Sequence, residues 1–122
     1  SQEGAYVWQS LMKSGAVVSN GTDAPVEDVD PIASFYATVS RKLTDGSVFY
    51  AAQRMNRADA LKSYTLNGAY AAFEEESKGT LKVGKHADVV VLSKDILNVP
   101  EGEIPATQVK YTIVAGKVKF KQ

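Results

Sequence analysis

Apolar positions along the chain keep a helical period for most of its length and then give way to short, glycine-punctuated runs. In residues 5–13, Tyr6, Val7, Trp8, Leu11 and Met12 make a broad helical face, and Ser14-Gly15 supplies a stop. Ala16-Val17-Val18-Ser19 follows as a small and β-branched run, the composition of a strand buried on both faces of a parallel sheet. Asn20-Gly21-Thr22-Asp23-Ala24-Pro25 ends that run. Pro25 and Pro31 keep the next loop extended up to a helix that Pro31 opens and Asp30 caps. Ile32, Phe35, Tyr36 and Val39 then form one helical stripe within residues 32–42.

Residues 43–56, with Gly46 and mixed polarity, read as a loop or lid. The spacing of Ala60, Leu61, Tyr64, Leu66, Ala69, Tyr70, Ala72 and Phe73 predicts a helix over residues 57–73. Asn67-Gly68 lies in its middle, where glycine costs roughly 1 kcal/mol relative to alanine and marks close packing or a bend. Beyond Glu74-Glu75-Glu76 the expected strands are Val83-Gly84, residues 88–92, residues 109–114 and residues 117–120. The last two form a hairpin around Ala115-Gly116, with Tyr111, Ile113, Val118 and Phe120 alternating against lysines and Thr112. The organisation is αβα followed by a mostly β tail, divided into residues 1–76 and 77–122.

Composition narrows the function classes. The 122 residues suit one domain, and 44% hydrophobic with 23% charged residues is ordinary for a soluble protein. Lys and Arg number 14 and Asp and Glu number 14, so no net field draws the chain to nucleic acid or to an anionic membrane. Cysteine is absent, which excludes disulfides and a thiolate zinc site. No apolar run approaches the roughly 20 residues of a membrane span. The chain reads as soluble, with the cytoplasm favoured although nothing in the sequence fixes the compartment. An amphipathic pattern already running at Tyr6, with no start Met, reads as a chain that begins within a fold.

Asp23 is the first candidate for chemistry, because a carboxylate just after a buried parallel strand lies where α/β folds place their active sites. On spacing alone the other reading leads: Asp beside Gly and Pro is a turn former that bonds its own loop. Glu27, Asp28 and Asp30 extend the acidic run, but there is no alternating cation-loop pattern, and a solvated helix entry accounts for them. His86 is the only histidine and cannot build a metal site by itself. The glycosylation sequon Asn20-Gly21-Thr22 lies against the expected buried strand and is discounted. Serine-nucleophile elbows and phosphate loops are missing.

Several separated stretches together resemble one family. Ala16-Val17-Val18-Ser19-Asn20-Gly21-Thr22-Asp23-Ala24-Pro25-Val26-Glu27 and Asp30-Pro31 resemble the last barrel strand and following loop of the amidohydrolase superfamily. The likeness is to its amidohydrolase-3 group, which includes N-substituted formamide deformylase-like proteins. Residues 58–73 resemble the helix after the barrel, and Gly79-Thr80-Leu81-Lys82-Val83-Gly84-Lys85-His86-Ala87-Asp88 resembles the return to a small β-sandwich. Val114-Ala115-Gly116-Lys117-Val118 is similar to the closing hairpin.

The resemblance implies an α/β fold: the C-terminal part of a (β/α)8 TIM-like barrel over residues 1–76, plus part of a β-sandwich over residues 77–122. It implies a metal-dependent hydrolase of non-peptide C–N bonds, with a divalent ion, zinc by preference, and a small-molecule substrate. Asp23 is then both metal-facing and the acid/base that carries a proton from water to the leaving nitrogen. Asp88 is structural, fixing a turn. The family's other ligands, a His-x-His, a bridging Lys or Glu and two later histidines, have no counterpart here, and a full barrel needs upwards of about 200 residues. The chain is therefore expected to be inactive alone, to partner the rest of its own barrel, and to dimerise through exposed strand edges. The alternative is a non-enzymatic α+β binding or assembly module in which Asp23 only forms a turn.

Overall fold

A computed structural model describes residues 4–122. Helix α1 (Trp8–Lys13) starts later than its pattern predicts, because Tyr6 has φ 53°, outside helical space. It ends as expected: the Ser14 hydroxyl donates to Leu11 O at 2.7 Å, and Gly15 turns the chain at φ 91°.

Residues 16–19 form no strand, which corrects the expectation of a buried parallel one. A strand exists through ladder partners, and among the described residues no strand pairs with this segment; Val17 is 52% exposed. Only Val18 packs on the core. The backbone is held from the helices instead: Asn67 Nδ2 donates to Val18 O at 2.8 Å and Asn20 N to Ser63 O at 3.0 Å.

Helix α2 (Pro31–Ser40) forms as read, with the Asp30 carboxylate accepting from the N–H groups of Ile32 and Ala33 at 3.0 and 2.9 Å. Its stripe buries Phe35 and Val39. Arg41 closes it in the left-handed region and is itself buried. Its Nε donates to Phe49 O at 2.6 Å and its Nη1 to Tyr6 O at 3.0 Å, and the guanidinium lies 4.7 Å from the centre of the Trp8 ring. Residues 43–56, expected as a loop or lid, are docked. Gln53 exchanges hydrogen bonds with Ser10, Gln9 reaches Arg54 O, and Met55 enters the core.

The helix expected over residues 57–73 is two helices, α3 (Arg57–Tyr64) and α4 (Leu66–Ala71). The break falls at Thr65, at φ −126° and ψ −89°, where the hydroxyl bonds back to Leu61 O at 2.8 Å. Gly68 has open space around it and lies inside α4. Close packing sits at Gly79, where a Cβ would come within 2.7 Å of Ala69 Cβ.

Val83-Gly84 is an exposed turn, not a strand. Strands β1 (Val89–Leu92), β2 (Val109–Val114) and β3 (Lys117–Lys121) make an antiparallel sheet in that order. The hairpin is where the alternation placed it, but a register shift between Thr112 and Ile113 sets Phe120 opposite Thr112 and Val118 opposite Ile113. The simple two-residue alternation is thereby interrupted. Between β1 and β2 the chain makes a 3-10 turn, Glu101–Ala106, that buries Ile104 completely. One core results, Phe35, Val39, Met55, Ala60, Ile96 and Ile104, drawing on both the helical and the β parts of the chain.

Candidate functional site

Asp23 is exposed and in the left-handed region, at φ 59°, where Asn and Asp are the tolerated non-glycine residues. Its carbonyl accepts from the N–H groups of Val26 and Glu27 at 2.9 and 3.2 Å, which closes the turn through a cis Ala24-Pro25 bond. The turn reading is thus satisfied by the backbone alone. Among the described residues its carboxylate makes no hydrogen bond or ion pair, so its oxygens are free to meet something else.

The approach to Asp23 is set by buried polar groups that sequence reasoning missed. Asn20 Nδ2 donates to Thr38 Oγ1 at 2.9 Å, and the Gly21 N–H donates to Asn20 Oδ1 at 2.9 Å. Thr38 and Ser63 occupy nearly inaccessible positions in α2 and α3 and bond back to Ser34 O and Ala60 O. A usable signal was present: polar residues at core spacing in otherwise apolar helical stripes need partners. Tyr64 lies beside them, its hydroxyl near Thr38 and Ser34 without full hydrogen-bond geometry to either. Burial raises its pKa above the ordinary phenol value, and those two hydroxyls partly oppose the shift.

The remaining candidates separate from Asp23. Asp30 is committed to its cap, and Glu27 and Asp28 are solvated. His86 is an exposed turn residue whose N–H donates to Ser77 O at 2.8 Å. Asp88 fixes a turn as expected, accepting from Ala115 N at 2.8 Å at the tip of the β2–β3 hairpin. An open groove of about 1350 Å³ runs between α3–α4 and the sheet, lined by Leu61, Tyr64, Ala69, Val89, Val91 and Ile113, and Asp23 is not on its wall. Glu74, Lys78, His86, Asp88 and Asp95 also border this groove.

Among the described residues no three His, Cys, Asp or Glu side chains converge to hold an ion. One exposed carboxylate does not fit a divalent cation, which needs several donors. Nor is any described helix long and apolar enough to cross a membrane.

A family model described as the amidohydrolase family matches residues 1–120. The chain belongs to the amidohydrolase family. It is 27% identical to an N-substituted formamide deformylase of Arthrobacter pascens, over 93% of this chain and 21% of that protein. An amidohydrolase structure from Thermotoga maritima superposes with a TM-score of 0.73 at 20% identity, over 96% of this chain and 26% of that one. An uncharacterized metal-dependent hydrolase from Pyrococcus horikoshii gives 0.71 at 32% identity, over 83% and 21%. The chain thus spans about a fifth to a quarter of the length of the amidohydrolase relatives it matches.

Proposed function

We propose that this chain serves as the C-terminal segment of a metal-dependent amidohydrolase that hydrolyses non-peptide C–N bonds, with Asp23 as its acid/base carboxylate. The observation that carries the reading is the family match across residues 1–120 together with an exposed carboxylate, Asp23, that makes no hydrogen bond or ion pair among the described residues. In this reading residues 16–19 are the last strand of a (β/α)8 barrel. The segment becomes a strand only beside neighbours supplied by the rest of the enzyme, and Asp23 then follows its carboxyl end, where barrel enzymes do their chemistry. Residues 1–76 complete the barrel, and residues 77–122 contribute to an adjoining β-sandwich.

The name of the Arthrobacter protein, a formamide deformylase, supports a C–N bond as the target, and that of the Pyrococcus protein supports metal dependence; the ion proposed is divalent, zinc by preference. When bound, such an ion supplies an acidified water and a polarised carbonyl. Its ligands, beyond a contribution from Asp23, come from outside these 122 residues. The part this chain can perform is proton transfer. Asp23 Oδ accepts a proton from the attacking water and returns it to the departing nitrogen, which must leave as an amine. Replacing Asp23 by Asn keeps the shape of the turn and removes the basic oxygen. In the full-length enzyme kcat is expected to fall by about 10²- to 10⁴-fold with the circular dichroism spectrum unchanged; unaltered turnover would exclude this role.

A further inference from the structure

Asp23 hangs on a turn that no strand ladder holds, yet Val18 and Asn20, ahead of the turn, are fixed from three helices. Asn67 of α4 donates to Val18 O at 2.8 Å. Ser63 O of α3 accepts the Asn20 N–H at 3.0 Å, and Thr38 Oγ1 of α2 accepts from Asn20 Nδ2 at 2.9 Å. Asn20 Oδ1 completes the set by accepting the Gly21 N–H at 2.9 Å, on the side that leads to Asp23.

We infer that Asn20 is a positioning residue for Asp23, an inference that rests on the reading of Asp23 as the acid/base. Asn is the residue type the site requires. Thr38 Oγ1 spends its proton on Ser34 O at 2.9 Å, so it presents only a lone pair to residue 20. A carboxylate there would set acceptor against acceptor, while an amide donates to Thr38 and accepts from Gly21 with one planar group. Thr38 is 2% exposed, so the bond has no water to replace it. The bracket fixes where the chain leaves the helical layer three residues before Asp23, and misplacing an acid/base group by about 1 Å costs up to 10²-fold in rate. It also occupies the amide of the Asn20-Gly21-Thr22 sequon.

The test compares Asn20→Asp, Thr38→Val and Thr38→Ser in the full-length protein by hydrogen exchange, with Asp23→Asn as the control for the chemistry. Asn20→Asp and Thr38→Val are expected to speed exchange at the Val26 and Glu27 amides about tenfold, the scale of one lost buried hydrogen bond, while α3 amides stay protected. Thr38→Ser, which keeps the hydroxyl, is expected to exchange as wild type. With N-methylformamide as probe, the first two variants lower kcat about tenfold or more without changing KM. Exchange at Val26 and Glu27 unaltered in both variants, or raised equally in Thr38→Ser, overturns the bracket. Raised exchange with unchanged kcat overturns the positioning role. Full activity in Asp23→Asn instead sinks the acid/base reading and leaves the exchange result to stand or fall by itself.

Discussion

Asp30 and Asp23 lie on the same loop and meet different fates for reasons of local chemistry. Asp30 caps two helical N–H groups, so Asp30→Ala should cost about 1 kcal/mol, read from urea denaturation. That cap was legible in the sequence because cap and capped groups lie within three residues. The Asn20 bracket was not, since Thr38 comes from the next helix and Ser63 from beyond the docked loop. Tyr64 provides a pH signature. Its phenol is held neutral by burial, so the folded chain keeps its proton to a higher pH than the unfolded chain does. That stabilisation is complete below about pH 10 and is lost as pH rises from there through the raised folded value. Tyr64→Phe should therefore lose less stability than wild type between neutral pH and pH 11 in thermal melts; parallel losses would show that the phenol is not protected.

At the scale of elements, period reading worked where neighbours in sequence are neighbours in space. α1, α2 and the β2–β3 hairpin satisfy their own backbone groups, and their stripes gave them away. It failed at residues 16–19, whose composition describes a strand in company, while the chain supplies none beside it. It also misplaced the break between α3 and α4, because glycine marks cheap flexibility while Thr65 bends the helix by bonding back to Leu61 O. Gly79 shows where the tight approach really lies, at φ 86° against α4. Gly79→Ala forces both a left-handed alanine and an overlap with Ala69, and is expected to destabilise by about 2 kcal/mol or more in chemical denaturation. Gly68→Ala, in open space inside a helix, should stabilise by about 0.5–1 kcal/mol. An opposite order for the two glycines would contradict the packing described.

As a whole molecule the chain closes one core yet leaves large apolar surfaces uncovered. Val17, Val90, Val118 and Phe120 are each about half exposed, the groove between α3–α4 and the sheet is open, and β1 and β3 each have an unpaired edge among the described residues. Sedimentation of the isolated 122-residue chain should accordingly show self-association that grows with concentration; a monomer at all concentrations would argue for an autonomous module. The family was legible in the sequence, because the stretches that carry the likeness, the turn at Asp23 among them, are local. The partners that a metal requires were not: among the described residues no three His, Cys, Asp or Glu side chains converge.

The central claim is tested most directly by metal content and C–N hydrolysis of the full-length enzyme, measured side by side for wild type and Asp23→Asn. The account predicts a bound divalent metal in the wild type and turnover that falls by about 10²-fold or more in the variant while its fold persists. A full-length protein that binds no metal, or an Asp23→Asn enzyme as active as wild type, would contradict it and favour the binding-module reading.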